Sequence, residues 1–285
     1  MVSNRKTFSN ILMPNVHHLR HTHLPENLFV KGEPETGADL ADDLERIAAN
    51  IGPENIAACI VEPIAGSTGT LVPPKGYLQK LRDICDKHGI LLIFDEVITG
   101  WGRTGSPFAS QAFGVTPDIM TMAKAVTNGV VPLGAVASRE NIYDTVLDAS
   151  PMGAVEFFHG YTYSAIPVSM AAGLAMQNII EKENLFQRSK DMSPYFLDGL
   201  FSLKDIDVIT DIRGYGMMGG IDIHLDERPG KAGYTCFKKL FEAGLSLKAT
   251  GDCLIVAPPF VCETEHIDEI IEKLRTGITN YMKSK

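Results

Sequence analysis

Residues 89–105 read GILLIFDEVITGWGRTG, an apolar run that ends in two acids and a glycine-rich turn. The residues from Ile90 to Phe94 are all apolar, which predicts a strand buried on both faces. Asp95 and Glu96 follow at once, although burying an unpaired carboxylate is costly. A carboxylate in that place needs a partner, so we expect Asp95 to face a cationic ligand at the mouth of a parallel sheet.

The segments around this stretch alternate between strand and helix patterns. A predicted strand at 56–63 precedes a helix at 75–89, whose apolar residues share one face, and the strand at 90–94 follows. Shorter strand patterns lie at 117–124 and 132–139. This alternation predicts an α/β fold with a doubly wound, mostly parallel sheet.

The pattern changes in the second half of the chain. A long helical stretch covers residues 164–203, and short strands with two amphipathic helices follow it. That mixture is typical of a small α+β domain. We therefore predict a large domain at 1–195 and a small C-terminal domain at 196–285.

Composition and charge limit the partners of this chain. The net charge of −9 indicates no basic face for nucleic acid or an anionic membrane. No run of about 18 apolar residues is present, so no membrane-spanning helix is expected. The first ten residues lack the apolar core of a secretory signal. Five cysteines without a CxxC pair are typical of reduced thiols, and we expect a cytoplasmic protein.

Two charged side chains follow strands that should end at the same edge of the sheet. Asp95 and Val97 would point to one side, because side chains alternate along a strand. An acid beside an apolar surface suits a flat heteroaromatic ligand with a protonated ring nitrogen. Lys124 follows the next strand pattern, where a partly desolvated amine can form a Schiff base with a carbonyl cofactor. The alternative for each charge is an ordinary exposed residue at a strand end.

Two further patterns are interpreted as structural. Residues 213–220, RGYGMMGG, contain GxGxxG, but a strand pattern follows instead of a helix and the required acid is missing. We interpret them as a glycine turn between two strands. The tract HHLRHTH has no cysteine nearby, so we interpret it as a polar loop and expect no metal site. Its histidines are His17, His18, His21 and His23.

Several motifs together resemble the class III pyridoxal-phosphate aminotransferases, most of all the ω-amino acid:pyruvate (β-alanine:pyruvate) branch. They span the chain nearly end to end: FDEVITGWGRTG, PDIMTMAKAVTNG, IVEPIAGSTGTLVPPKGYL, FFHGYTYSAIPV, DIRGYGMMGGIDI and TGDCLIVAPP. The resemblance implies fold type I of the pyridoxal-phosphate-dependent transferases. It also implies an enzyme that moves an amino group from an ω-amino acid or amine, of the β-alanine type, to a keto acid such as pyruvate.

The resemblance also assigns roles to residues. Lys124 would hold pyridoxal 5'-phosphate covalently, Asp95 would pair with the ring nitrogen, and Val97 would pack under the ring. Thr162 would reach the cofactor phosphate of a neighbouring subunit, which makes a homodimer part of the site. Glu62 lies at the end of the preceding strand, and in several relatives the matching acid governs an active-site arginine.

Two departures from the family pattern stand out. The long N-terminal part of the family, with its glycine–serine phosphate loop, has no counterpart, so we expect an incomplete large domain with unpaired sheet edges. We also expect weak cofactor binding or none, because an anion site at a helix N-terminus is lost. Lys248 occupies the place where ω-aminotransferases commonly have arginine, and other branches have arginine at the position of Ile255. Lys248 is therefore the candidate for the substrate carboxylate, without the two-pronged geometry of arginine.

Two alternatives to a transaminase remain open at this point. The core motifs are shared with other pyridoxal-phosphate activities of the same fold, such as aminomutases and racemases, so a substrate profile must separate them. A truncated, non-catalytic fragment is the other alternative. It predicts no cofactor uptake even though Lys124 and Asp95 are present.

Overall fold

The computed structural model describes residues 2–154, 160–224 and 229–283. The N-terminal part contains a four-stranded sheet in the order β1-β2-β3-β4. Its strands are β1 (Ala58–Val61), β2 (Leu91–Asp95), β3 (Ile119–Met122) and β4 (Ala135–Ser138). The first three strands pair in parallel, and β4 is antiparallel to β3. The predicted α/β class with a mostly parallel sheet is therefore confirmed.

Helices cover one face of this sheet. The helices of this part are α1 (Val2–Thr7), α2 (Asp42–Ile51), α3 (Tyr77–His88), α4 (Ala109–Ala112), α5 (Glu140–Ala149) and α6 (Pro167–Lys182), of which α2 and α3 contribute to the core on that face. The helix α3 connects β1 to β2 and packs Leu78 and Leu81 into the core that holds Leu92 and Phe94. Each such large apolar side chain contributes about 1.5–3 kcal/mol on full burial. Gly89 ends the helix with a φ of 68°, a conformation that glycine adopts without strain.

The opposite face of the sheet stays open among the described residues. Ile60 of β1 is 63% exposed and Val136 of β4 is 69% exposed, whereas Ile93 between them is half-buried. Leu92 and Phe94 point to the helix-covered face and are fully buried. The prediction that β2 is buried on both faces is thus wrong for the described part of the chain, because the helix layer packs against one face only.

The C-terminal part forms an antiparallel sheet in the order β5-β6-β8-β7. Its elements are α7 (Leu185–Phe201), β5 (Ile209–Tyr215), β6 (Met218–Ile223), α8 (Ala232–Glu242), β7 (Lys248–Thr250), β8 (Cys253–Val256) and α9 (Thr264–Lys283). The three helices pack on one core with the sheet, including Leu240, Leu254 and Ile267. No helix in the described ranges is both long and apolar enough to cross a membrane.

The RGYGMMGG stretch is the turn of the β5–β6 hairpin. Gly216 has a φ of 59°, and a Cβ there would lie 2.5 Å from the carbonyl oxygen of Arg103. Only glycine tolerates both constraints, which explains the residue choice without any nucleotide. The interpretation as a glycine turn between strands is confirmed.

The predicted boundary after residue 195 lies inside α7, whose Phe196 and Leu200 belong to the C-terminal core. The boundary itself stays a prediction.

Asp118 stands directly before β3 and fixes how β3 lies against β2. Its backbone N–H donates to the carbonyl oxygen of Leu92 at 2.8 Å, and its Oδ2 accepts the N–H of Leu92 at 2.7 Å. The same carboxylate contacts Arg82 of α3 at 2.7 Å and Arg139, beside α5, at 3.1 Å. Burial alone would raise the pKa of Asp118, but these hydrogen bonds and the two arginine charges lower it below its usual value.

We expect Asp118→Ala to lower the free energy of unfolding by about 3 kcal/mol at neutral pH, because Arg82 and the N–H of Leu92 lose a buried partner. The folded-state pKa of Asp118 is depressed, so its contribution is complete above the unfolded pKa of about 3.9. It disappears as the pH falls through the lower folded pKa. Urea denaturation of both proteins from pH 7 to pH 3 measures this difference.

Asp86→Ala is the matched control for this measurement. Asp86 contacts the same Arg82 at 2.6 Å, but its side chain is 61% exposed. Exposed ion pairs contribute up to about 1 kcal/mol, so this variant should stay close to the wild type. Equal losses in the two variants would contradict the role given to Asp118.

Candidate active site

The carboxyl ends of β2 and β3 meet at one edge of the sheet, and a charged side chain stands at each. Asp95 is the last residue of β2, and its register partner on β3 is Thr121. Lys124 begins a 3-10 turn two residues after β3 ends at Met122. The structure therefore brings Asp95 and Lys124 to the same edge, which is where parallel sheets bind ligands.

The two consecutive acids at the end of β2 have different surroundings. Glu96 is fully buried, and its carboxylate accepts hydrogen bonds from the Thr99 hydroxyl at 2.7 Å and from the N–H groups of Ala109 and Ser110 at 2.9 and 2.8 Å. Asp95 is half-buried, and among the described residues its carboxylate accepts one hydrogen bond, from the N–H of Val97 at 3.0 Å. Glu96 thus holds the following turn together, while Asp95 keeps an oxygen for a ligand.

Lys124 has an exposed side chain on a strained backbone. Its φ is 52°, in the left-handed region that residues other than glycine seldom adopt. That conformation costs about 1–2 kcal/mol and persists only where surrounding contacts enforce it. Strain of this kind is concentrated at functional sites. The exposed amine on a fixed backbone is what a covalent bond to a ligand carbonyl requires.

Glu62 adds a second carboxylate near this pair. It follows Val61, the last residue of β1, and its Oε2 accepts the N–H of Gly66 at 3.0 Å. Burial raises the pKa of Glu62, the negative charge of Asp95 raises it further, and the positive charge of Lys124 opposes both. Glu62 is therefore close enough to both Asp95 and Lys124 for their charges to influence its pKa.

Two predicted site residues stand apart from this cluster. Val97 does not continue β2, which ends at Asp95, so the alternation argument for its direction is wrong. Its N–H instead turns back to the Asp95 carboxylate. Thr162 lies on an exposed turn before α6. Part of the surrounding motif, residues 157–159, lies outside the described residues. The roles of Val97 and Thr162 toward a cofactor stay predictions.

Lys248 connects the C-terminal sheet to the loop that follows Glu62. Its Nζ donates to the Ser67 hydroxyl at 3.1 Å, and Ser67 is adjacent to Gly66, the hydrogen-bond partner of Glu62. The register partner of Lys248 on β8 is Ile255. The two positions considered for an arginine are therefore directly opposite each other on neighbouring strands.

These features agree with the comparisons with known proteins. The family model described as aminotransferase class-III matches residues 2–278. The chain belongs to the class-III aminotransferases. It is similar to an omega-aminotransferase of Caulobacter vibrioides, at 51% identity over 95% of this chain and 62% of that relative. A beta-alanine–pyruvate aminotransferase of Pseudomonas aeruginosa is 46% identical over 94% of this chain and 60% of its own length.

A solved structure of the same kind supports the fold. The thermostable omega transaminase six-fold mutant from Pseudomonas jessenii aligns with a TM-score of 0.91 and 32% identity over 99% of this chain and 64% of that chain. The predicted family resemblance and transferase fold are thereby confirmed. Class-III aminotransferases use pyridoxal phosphate as their cofactor. This class-III chain spans about three fifths of the length of the curated relatives named above.

One histidine of the HHLRHTH tract takes part in a buried ion network of this class-III chain. His23 lies 3.7 Å from Asp211 and 3.8 Å from Asp222. Arg213 already bonds both carboxylates, at 2.5 and 2.8 Å, and supplies the positive charge that a metal ion would bring. Burial would raise the pKa of Asp222, but its hydrogen bonds with Arg213 lower it overall. The ion pairs lie within the β5–β6 hairpin, and His23 of the N-terminal segment lies beside them with a pKa that burial and the charge of Arg213 lower.

Sequence reasoning missed two residues that shape the site. Ser67 is the contact of Lys248, although 181 positions separate them, and only the loop-like GST pattern around it marks the position. Glu96 stabilises the turn after β2 through hydrogen bonds from the N–H groups of Ala109 and Ser110. These two residues lie beyond a glycine-rich segment of the sequence. A carboxylate directly before such a turn is the one sequence signal that points to it.

The difference between the two acids gives a stability prediction. We expect Glu96→Ala to lower the free energy of unfolding by about 3 kcal/mol, because three donors lose a buried charged acceptor. Asp95→Ala should change it by less than about 1 kcal/mol, or raise it, since ligand-binding groups are often not optimal for stability. Chemical denaturation without added cofactor measures both values. A larger loss for Asp95→Ala would show that Asp95 is a structural acid.

Proposed function

We propose that this chain is a pyridoxal-phosphate-dependent aminotransferase. It would move an amino group from an ω-amino acid or amine of the β-alanine type to a keto acid such as pyruvate. The observation that carries the proposal is the position of Asp95 and Lys124 at one sheet edge, across the paired ends of β2 and β3. The similarity to an omega-aminotransferase and a beta-alanine–pyruvate aminotransferase supports the substrate class.

The chemistry of the available groups fits pyridoxal phosphate. Asp95 offers a half-buried carboxylate that can pair with a protonated ring nitrogen. Lys124 offers an exposed amine that can bond to the cofactor aldehyde. When bound, the cofactor supplies a ring that accepts the electron pair left on the substrate carbon. The phosphate site is less complete than the site for the ring among the described residues, since its candidate residue, Thr162, offers one exposed hydroxyl.

Each candidate residue would then have a separate role in the reaction. The negative charge of Asp95 keeps the ring nitrogen protonated and so stabilises negative charge that develops on the reacting carbon. The Nζ of Lys124 would bond to the cofactor aldehyde and would also be the base that holds the proton removed from the substrate carbon. Glu62, whose pKa is raised, would tune the charge around both groups. Val97 would contact the ring from below.

The partner subunit belongs to the same proposal. Thr162 lies on an exposed turn and has no contact with Asp95 or Lys124 among the described hydrogen bonds. We propose that it serves the cofactor phosphate of a second copy in a homodimer. The five cysteines are all free thiols, which supports a reducing, cytoplasmic location.

Lys248 is the proposed contact for the substrate carboxylate. Its amine already donates to a neutral hydroxyl, Ser67, and is exposed, so a carboxylate can replace or join that acceptor. A charge-assisted bond to a carboxylate is stronger than one to a hydroxyl. This contact would favour donors with a carboxylate over simple amines.

The test of the proposal is an optical one. With pyridoxal phosphate added at a concentration high enough for weak binding, we expect the visible absorption of a lysine-bound cofactor in the wild type and none in Lys124→Ala. Borohydride reduction followed by peptide mass mapping should place the cofactor on Lys124. Lys204→Ala, which changes an exposed lysine in the C-terminal part, is the matched control and should keep the band. Asp95→Asn should weaken cofactor binding about tenfold or more, because the ring nitrogen loses its counter-charge.

The same measurement separates the alternatives. Absence of a Lys124-dependent band in the wild type would leave the non-catalytic fragment as the explanation. A band without amino transfer from amine to keto acid would favour an aminomutase or racemase. Transfer of an amino group from β-alanine to pyruvate, with formation of alanine, distinguishes the aminotransferase from both.

The role of Lys248 is tested with two donors of equal length. Lys248→Met should raise the KM for β-alanine about tenfold and leave the KM for propylamine unchanged, since propylamine has no carboxylate. Lys248→Arg should match or lower the wild-type KM for β-alanine, because arginine can bind a carboxylate in bidentate geometry. Equal effects of Lys248→Met on both donors would rule out a carboxylate contact.

A further inference from the structure

The loop between β3 and β4 is closed by one buried hydroxyl. Thr127 is 3% exposed, and its Oγ1 donates to the carbonyl oxygen of Val131 at 2.6 Å. Its backbone N–H donates to the carbonyl oxygen of Lys124 at 3.2 Å. Thr127 therefore hydrogen-bonds to the backbone of Lys124 at the start of the loop and to the backbone of Val131 near its end.

The helix α6 supports this loop from outside. The Ser169 hydroxyl donates to the carbonyl oxygen of Pro132 at 3.0 Å. Gly173 lets the helix approach closely, since a Cβ there would lie 3.1 Å from Leu133 and 3.8 Å from the carbonyl oxygen of Val126. The loop is thus held at residues 131–133, while Asn128 to Val130 at its tip are exposed.

We infer that Thr127 is a positioning residue for Lys124. Lys124 has a left-handed backbone that relaxes unless neighbouring contacts enforce it. The Thr127–Val131 hydrogen bond prevents the turn from opening, and the bond to the Lys124 carbonyl transmits that restraint to the strained residue. Thr127 touches neither cofactor nor substrate in this role. The inference rests on the proposed function, because it concerns the amine that would hold pyridoxal phosphate.

Threonine meets two requirements at this position. Its hydroxyl supplies the donor, and its β-branched side chain leaves few rotamers and so fixes the direction of that donor. Valine has nearly the same shape without the donor, whereas serine has the donor with less steric restriction. The two substitutions therefore separate hydrogen bonding from packing.

The first measurement needs no cofactor. Amide hydrogen exchange at residues 124–131 should be at least tenfold faster in Thr127→Val than in the wild type, with Thr127→Ser close to the wild type. Ser193→Ala is the matched control, because Ser193 is also buried and its hydroxyl donates to the Ser189 carbonyl at the same 2.6 Å. It should leave exchange at 124–131 unchanged. Unchanged exchange in Thr127→Val would overturn the inference, whatever the chain does with pyridoxal phosphate.

The second measurement uses pyridoxal phosphate and the Lys124-dependent band. Thr127→Val should weaken the apparent affinity about tenfold, which corresponds to about 1.4 kcal/mol, and should shift the pH at which the band changes. Thr127→Ser should restore both, and Ser193→Ala should alter neither. Equal affinity and equal pH midpoint in Thr127→Val and wild type would overturn the positioning role while leaving the proposed function intact. A wild type without the band contradicts the proposed function, and the exchange measurement then decides on Thr127.

A second variant covers the case in which Thr127→Val does not fold. Ser169→Ala releases the same loop at Pro132 without changing Thr127. It should accelerate exchange at 124–131 and weaken the apparent affinity in the same direction. A folded Ser169→Ala protein with wild-type exchange and wild-type affinity would overturn the inference.

Discussion

The parallel register between β2 and β3 is the constraint on which the candidate site depends. It places Asp95, the last residue of β2, opposite Thr121, so that Asp95 and Lys124, which follows β3, lie at one edge. A slip of one residue would turn both strands' side chains to the other face. Two hydrogen bonds between Asp118 and Leu92, one between backbone groups and one from the Leu92 N–H to the Asp118 carboxylate, fix the register at the opposite end of the pair. A structural acid at one end of the pair thus helps to determine where the candidate site acid, Asp95, lies at the other.

Hydrogen-bond satisfaction distinguishes the structural charges from the candidate site charges in this protein. The carboxylates of Glu96 and Asp118 are buried and are bonded by several donors each, so their charge is used by the fold. Asp95 and Lys124 keep unused bonding capacity toward the sheet edge among the described residues, and Lys124 adds backbone strain. Polar groups without a full set of hydrogen bonds, next to a strained backbone, are typical of ligand-binding sites.

The sequence determined much of this architecture because its local signals agree with one another. The apolar run at 90–94, the helix ending at Gly89 and the glycine turn at Gly216 all lie where pattern and residue chemistry predict them. Contacts between distant segments were not predictable. The direction of Val97 depends on where β2 ends, and the open face at Ile60 depends on which helices are present to cover it. Neither property is encoded in local periodicity.

The cross-strand pairing of Lys248 and Ile255 brings together the two positions at which the family resemblance implies an arginine. Directly opposed residues in an antiparallel pair project to the same face, with Cβ atoms about 4.5–5.5 Å apart. A positively charged side chain at either position would therefore reach the same region. In this chain the charge is a lysine on β7 that donates to Ser67, in the loop after Glu62. An ammonium is a compact point charge without the planar fork of arginine, so in the proposed role a substrate carboxylate would replace or join Ser67 as its acceptor.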